Sequence, residues 1–127
     1  MAIKPTESEL SILIILWKSG DSTVRDVNAD LNRTRKVGYT NTLKMMQLMH
    51  EKGLLSRDES NRSHIYSPTI QADDIRSNLL NHMIDTVFEG STSRMMLHAL
   101  GNYKTSPEEI EEIRSLLNNI EDDGDTV

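Results

Sequence analysis

Polar side chains recur with helical spacing between Gly38 and Leu55. They are Thr40, Asn41, Lys44, Gln47 and Glu51, a set called here the polar strip. Steps of three and four residues place these side chains on one side of a helix. Amide, hydroxyl and ammonium groups read base edges and hold phosphates in the major groove of a duplex. The polar strip therefore indicates nucleic-acid recognition, although a core helix with one solvated face has the same pattern.

The helix that carries the polar strip is expected to begin at Gly38 and to end at Gly53. Gly38 can act as an N-cap, and Gly53 can adopt the left-handed conformation that closes a helix. The opposite side of the helix carries Thr42, Met45, Met46 and Met49. This helix should therefore bury its methionine side in a small domain and present the polar strip outward.

The charge of the chain is unevenly distributed. Its formal net charge is −6, which by itself disfavours a polyanionic partner. Residues 1–68 nevertheless carry ten basic residues against eight acidic ones, whereas residues 69–127 carry four against twelve. The window from residue 31 to residue 49 has no acidic residue, and its basic residues are Arg33, Arg35, Lys36 and Lys44. Because salt limits the reach of a charge to about 8 to 10 Å, phosphates would experience this local positive field.

Two helices are expected before the polar strip. Thr6 and Glu9 form a capping box that begins the first helix, and Gly20 ends it. Its buried stripe is predicted at Leu10, Leu13, Ile14 and Trp17. Thr23 and Asp26 cap a short second helix that ends near residue 32. A basic connector then leads to the helix of the polar strip, which gives the order of a helix-turn-helix.

A β-hairpin is expected directly after this third helix. Residues 54–57 and 63–67 have strand character, and residues 58–62 form a polar turn of hairpin length. A helix-turn-helix followed by a hairpin is a winged helix, in which the tip of the hairpin lies beside the duplex. Arg62 in the turn is therefore a candidate contact to a phosphate or the minor groove, with a merely solvated arginine as the alternative. Residues 1–68 are thus predicted to form a winged-helix DNA-binding domain.

The second half of the chain, residues 69–127, is predicted to be a helical dimerisation domain with an acidic C-terminal tail that frays. Its apolar stripes are wider than an isolated helix can hide, and three short helices make a marginal domain on their own. A second copy of the chain would cover these stripes. The expected dimer-interface residues are Ile75, Leu79, Met83, Val87, Phe88, Ile110, Ile113 and Leu117.

The composition gives no support to several classes of function. The chain has no cysteine, which excludes disulfides, thiolate metal sites and cysteine nucleophiles and is typical of the cytoplasm. Its histidines lie far apart, at positions 50, 64, 82 and 98, so no metal site is expected. No catalytic motif, phosphate-binding loop or dinucleotide turn occurs, so neither an enzyme nor a cofactor is expected. No run of 18 apolar residues occurs either, and a cytoplasmic protein without membrane contact is predicted.

The order and spacing of several segments resemble those of the penicillinase repressor family. The segments are Glu9 with the apolar run ending at Trp17, residues 39–55, Arg62 followed by residues 65–68, residues 87–91 and residues 106–110. The resemblance extends from about Thr6 to Leu117. It implies a mainly α-helical protein with a small β-hairpin, in which a winged helix-turn-helix domain precedes a helical dimerisation domain. It also implies a homodimer that represses transcription from a dyad-symmetric operator, as family members do at β-lactamase, methicillin-resistance and copper-transport operons.

The chain departs from the family pattern at two points. Copper-responsive members bind metal through a C-terminal cysteine cluster, which this chain lacks. Antibiotic-responsive members are inactivated by cleavage of an Asn–Phe bond, and the matching bond here is His98–Ala99. The resemblance therefore identifies neither the inducer nor a regulatory protease that would release repression.

The predicted DNA-binding residues fall into two groups. Phosphate contacts are assigned to Arg33, Arg35, Lys36, Lys44 and Arg62, and base contacts to Thr40, Asn41 and Gln47. A dimer would place its two recognition helices in successive major grooves of an inverted-repeat operator. Two other functions stay open: a winged helix that binds another protein instead of DNA, and a regulator that senses a small molecule between its C-terminal helices.

Overall fold

The computed structural model describes residues 4–124 and is mainly helical. Its elements are α1 (Glu7–Ser19), α2 (Val24–Leu31), α3 (Tyr39–Glu51), β1 (Leu55–Asp58), β2 (Ile65–Pro68), α4 (Ala72–Thr86), α5 (Thr92–Asn102) and α6 (Pro107–Gly124). The two strands pair as an antiparallel hairpin that follows α3. The predicted fold class, a mainly helical chain with a small hairpin after three helices, is confirmed.

The chain divides into two compact units, Met1–His82 and Met83–Val127. The division falls within α4, whereas the sequence predicts a domain boundary between residues 68 and 69. This division into compact units does not show which residues bind DNA or a second chain. The functional boundary therefore stays a prediction.

Helix α1 begins at the predicted capping box, and its buried face matches the predicted one only in part. The Glu9 N–H donates to the Thr6 hydroxyl at 3.2 Å, and the Thr6 N–H donates to the Glu9 carboxylate at 2.9 Å. The buried side chains of α1 are Glu9, Ile12, Leu13 and Leu16. The predicted stripe is wrong at Ile14, which is 39% exposed. Every position from 12 to 16 is apolar, so hydrophobic periodicity could not choose the buried face there.

Helices α2 and α3 and the hairpin complete the core of the N-terminal unit. α2 begins at the second predicted capping box, where the Asp26 N–H donates to the Thr23 hydroxyl at 3.2 Å. The buried core consists of Ile12, Leu13, Leu16, Val24, Val27, Leu31, Met46, Met49, Leu54, Leu55 and Tyr66. The inward side predicted for α3 is confirmed at Thr42, Met46 and Met49, which are buried. Its opposite side is consequently left to the solvent.

The hairpin lies one to two residues later along the chain than predicted. Leu55 lies opposite Pro68, so this proline is part of β2 although the predicted strand ends at residue 67. The Tyr66 N–H donates to the Ser22 carbonyl at 2.8 Å, and the Ser22 N–H donates to the Tyr66 carbonyl at 3.1 Å. This isolated bridge joins the hairpin to the connection between α1 and α2. It fixes the hairpin beside the beginning of α2.

A partly buried ion pair joins α1 to the end of α3. The Lys52 ammonium lies 2.6 Å from the Glu9 carboxylate, whose side chain is 8% exposed. Burial raises the pKa of the Glu9 carboxyl, but hydrogen bonds from Lys52 and from the Thr6 backbone lower that pKa by more. The pKa therefore lies below its ordinary value, and the ionised form of Glu9 stabilises the fold.

The change Glu9→Gln is expected to lower the free energy of unfolding at pH 7 by about 1 kcal/mol, since the partner Lys52 is half-exposed and its charge is screened. A carboxyl whose pKa is lowered by folding contributes stability that is complete above its unfolded pKa of about 4.3 and is lost as the pH falls through the folded value. Urea unfolding of both proteins at pH 7 and pH 3 measures this difference. It should shrink as the pH falls from 7 to 3, because protonation of Glu9 progressively removes the contribution of the ionised carboxylate.

The matched control for this prediction is Glu7→Gln, which neutralises an exposed carboxylate in the same first turn of α1. Glu7 has no ion-pair partner in the described chain, so its replacement should change the free energy of unfolding much less. An equal loss for both variants, or a Glu9→Gln loss that does not shrink between pH 7 and pH 3, would contradict the assignment.

The C-terminal unit contains the end of α4 together with α5 and α6. The Arg94 N–H donates to the Ser91 hydroxyl at 3.1 Å, and the Glu109 N–H donates to the Ser106 hydroxyl at 3.1 Å, so these two serines act as N-caps. α6 continues to Gly124, so residues 121–123 are helical rather than a frayed tail. Asp125, which belongs to the predicted tail, lies outside the described residues. None of the described side chains of this unit is buried.

Candidate nucleic-acid interface

The outward face of α3 carries the polar strip as predicted. Thr40, Asn41, Lys44 and Gln47 are all exposed, as is Glu51. In the part of the chain that the structure describes, the first four side chains have neither a hydrogen bond nor an ion pair. Amide, hydroxyl and ammonium groups are therefore presented together without a competing partner.

A hydrogen-bond network fixes the beginning of α3. The Asn28 side-chain amide donates to the Val37 carbonyl at 3.0 Å and to the Thr42 hydroxyl at 2.8 Å. The side chain of Asn32 also binds both backbone groups of Val37, accepting from its N–H at 3.1 Å and donating to its carbonyl at 2.9 Å. α2 and the connector thus hold the first turn of α3, so the outward side chains start from a fixed backbone.

Four of the predicted DNA-binding residues line one hollow on the surface of the N-terminal unit. This basic hollow has a volume of about 460 Å³. Its lining residues are Ser8, Arg35, Lys36, Val37, Asn41, Lys44, Met45 and Leu48. The structure therefore brings Arg35 and Lys36 of the connector together with Asn41 and Lys44 of α3.

Two further predicted residues, Gln47 and Arg62, line a separate hollow between α2, α3 and the hairpin. This wing hollow has a volume of about 250 Å³. Its lining residues are Thr23, Val24, Arg25, Tyr39, Leu43, Gln47, Arg57, Arg62, Ser63, His64 and Tyr66. Arg33 and Thr40 line neither hollow, and the Arg33 guanidinium lies 3.6 Å from the Asp30 carboxylate.

Sequence reasoning missed three residues of the wing hollow: Arg25, Arg57 and the half-exposed Tyr39. Arg25 occupies the first turn of α2, two residues after the capping residue Thr23. A sequence signal existed for this residue, because helix N-termini favour anions and an arginine there can supply a further phosphate contact. Arg57 and Tyr39 gave no local signal, since only the folded hairpin brings them together.

Arg57 differs from Arg62 in being held by its neighbours. Its guanidinium lies 2.8 Å from the Glu59 carboxylate and 6.0 Å from the centre of the Tyr66 ring. Hydrogen bonding to Tyr66 and to Glu59 raises the pKa of the Arg57 guanidinium, and the same ion pair lowers the pKa of Glu59. Arg62 has no such partner among the described residues, so its charge is free to meet a phosphate.

The predicted dimer-interface residues are distributed over both units. Ile75 is 1% exposed and lies in the N-terminal unit, so it has no surface left for a second chain. Leu79, Phe88, Ile110 and Ile113 are partly buried, and Met83, Val87 and Leu117 are exposed. The C-terminal unit also exposes Leu97, Leu100, Tyr103, Leu116 and Ile120. The His98–Ala99 bond lies within α5. The centres of the His98 and Phe88 rings are 5.7 Å apart, and the two rings pack edge to face.

Comparison with known proteins identifies the family. Residues 5–119 match the sequence profile described as penicillinase repressor. The chain belongs to the penicillinase repressor family. It is 23% identical over 123 residues to the penicillinase repressor of Staphylococcus aureus, covering 94% of this chain and 98% of that one. It is 24% identical over 112 residues to the penicillinase repressor of Bacillus licheniformis, covering 88% of each.

A third relative agrees with this assignment, and a solved structure is similar in fold. The methicillin resistance regulatory protein MecI of Mammaliicoccus sciuri is 20% identical over 113 residues, which cover 89% of this chain and 92% of that one. The structure of a MarR family protein from Bacillus stearothermophilus matches with a TM-score of 0.51 at 19% identity, covering 95% of this chain and 76% of that one. At this identity the likeness concerns the fold alone. The family resemblance expected from the sequence is confirmed, and the member described here is a transcriptional repressor rather than an enzyme.

The described residues contain neither a metal-binding cluster nor a membrane-spanning helix. Between residues 4 and 124, no group of three or more His, Asp or Glu side chains is arranged to hold a metal ion. Over the same range, no helix combines the length and apolarity needed to cross a bilayer.

Proposed function

We propose that this repressor binds a DNA operator as a homodimer, with α3 of each subunit in a major groove and the hairpin beside the duplex. The polar strip is the main support for this proposal, because its Asn41, Lys44 and Gln47 side chains are exposed and unpaired within the described chain. The Asn28 network holds the same helix by its inner side. Donor groups on a fixed helix suit a ligand that offers base edges and phosphates.

The proposed roles follow from the chemistry of each side chain. Phosphates would be bound by Arg33, Arg35, Lys36, Lys44 and Arg62, with Arg25 and Arg57 as additions from the wing hollow. Asn41 and Gln47 can make bidentate contacts to adenine, and Thr40 can contact a base or a thymine methyl group. Phosphate contacts would set the register of the repressor, and the amides would supply sequence preference.

Homodimerisation is supported by the surface of the C-terminal unit. Val87 and Leu97 are 69% and 72% exposed, and none of the described side chains of this unit is buried. A group of helices without a buried side chain is not stable alone, so a second copy of the chain would supply the missing core. Two-fold symmetry then predicts an operator in which two half-sites lie about one helical turn, or a multiple of it, apart.

Selection of bound oligonucleotides from a random pool tests duplex recognition, symmetry and half-site spacing together. The expected product is an inverted repeat whose half-sites contain adenine opposite Asn41 or Gln47, and whose binding weakens steeply with salt. A pool that gains no consensus, together with indifference to calf-thymus DNA at low salt, would contradict the proposal. Such a result would favour a winged helix that binds another protein.

A further inference from the structure

The basic hollow contains an apolar surface that the proposed DNA contacts do not use. Val37, Met45 and Leu48 contribute it, and Leu48 is 47% exposed. Leu48 follows Asn41 by seven residues and Lys44 by four, so the three side chains lie along one side of α3. Leu48 therefore offers apolar area beside charged groups, and covering that area would favour binding of a ligand with an apolar body.

The charged part of the same hollow calls for an anionic occupant. Arg35, Lys36 and Lys44 line it, and no acidic residue does. Within the described residues, none of these three side chains has an ion pair or a hydrogen bond. An organic anion entering the hollow would therefore meet free cations and would not displace a carboxylate of the protein.

The phosphates of DNA can pair with the cations of the basic hollow, but in the major groove DNA offers Met45 and Leu48 an apolar partner only where a thymine methyl group or a sugar carbon lies against them. A small organic anion with an apolar body satisfies both surfaces. The volume of about 460 Å³ is large enough for a small organic anion, which would stay partly exposed to solvent in this open hollow.

We propose that the basic hollow is an effector site for a small amphipathic organic anion, whose charged group binds Arg35, Lys36 and Lys44 and whose apolar body covers Met45 and Leu48. This proposal rests on the proposed function, because Asn41 and Lys44 belong to both the hollow and the DNA contacts. An occupied hollow and a bound operator are then mutually exclusive. By linkage, the anion lowers the affinity for DNA by the same factor by which DNA lowers the affinity for the anion.

Direct titration of the DNA-free repressor with 2-naphthoate, followed by NMR, tests the site without reference to the operator. The uncharged 2-naphthalenemethanol is the matched ligand and should bind about tenfold more weakly, because it lacks the pairing charge. Leu48→Gln should weaken 2-naphthoate binding about tenfold by removing apolar contact area. Ile14→Gln, which replaces another exposed aliphatic side chain of the same unit outside the hollow, should leave binding unchanged.

The second arm measures competition with calf-thymus DNA at low salt. 2-Naphthoate should weaken DNA binding by the wild-type repressor and by Ile14→Gln, whereas the DNA binding of Leu48→Gln should resist the anion. Equal binding of the charged and uncharged ligands, or unchanged 2-naphthoate binding by Leu48→Gln, would overturn the effector site. Loss of DNA binding in Leu48→Gln would also overturn it by making this leucine a DNA contact. Failure of the proposed function can be told apart from failure of the effector site. In the first case the wild-type repressor would bind no DNA, while the 2-naphthoate titration would still show whether the basic hollow binds the anion.

Discussion

Replacement of Leu117 by glutamate is expected to make the repressor monomeric at micromolar concentration and to weaken operator binding at least about 100-fold, because the second half-site is no longer met at high effective concentration. Leu117 is 56% exposed on α6, in a unit that has no buried side chain among its described residues. A carboxylate introduced into the proposed apolar interface would be desolvated without a partner, at a cost of several kcal/mol. Sedimentation equilibrium measures the mass, and a titration with the selected operator measures the affinity.

The matched control adds the same charge to the same helix. Asn118 is exposed on the polar side of α6, and Asn118→Glu should remain dimeric with unchanged operator affinity. Trp17 is the only tryptophan of the chain and lies in the N-terminal unit. Its fluorescence should be the same in both variants, which separates loss of dimerisation from general unfolding. A dimeric Leu117→Glu, or equal effects of the two variants, would contradict the interface.

The parts of the fold that could be predicted are those fixed by neighbouring residues. Both capping boxes, at Thr6 and at Thr23, form as expected because each needs only a hydroxyl and a carboxylate three residues apart. The alternation of polar and apolar residues likewise identified the inward side of α3. The face of α1 could not be predicted, since its apolar run offers hydrophobic side chains in every direction and only packing against α2 and α3 selects one.

The candidate site was predictable where its residues come from one segment of the chain. The basic connector directly precedes the helix that carries the polar strip, and residues of both line the basic hollow. The wing hollow was incompletely predicted because Arg25, Tyr39 and Arg57 come from three different elements. Their proximity depends on the backbone bridge between Ser22 and Tyr66, for which a single serine in a loop gives no signal. Contacts of this kind need the tertiary structure.

Lys44→Ala and Asn41→Ala are expected to weaken DNA binding in different ways, although the two side chains lie three residues apart on the same face of α3. Lys44 would act as a point charge on phosphate, so its loss should weaken binding to every duplex. In a dimer that loses two such contacts, the slope of log affinity against log salt should fall by about two. Asn41 would hydrogen-bond a base, and its loss should cost about 1 to 3 kcal/mol at each half-site, or about 30-fold or more for the dimer.

The distinction is measurable by titrating each variant with the selected operator and with calf-thymus DNA over a range of salt concentrations. Asn41→Ala should lose affinity for the operator only and keep the wild-type salt slope, because no cation has been removed. Lys44→Ala should lose affinity for both duplexes and keep the wild-type preference between them. If both variants bound both duplexes like the wild type, α3 would not be the recognition helix. If Asn41→Ala instead weakened both duplexes equally, its amide would bind the backbone, and base discrimination would have to come from Thr40 and Gln47.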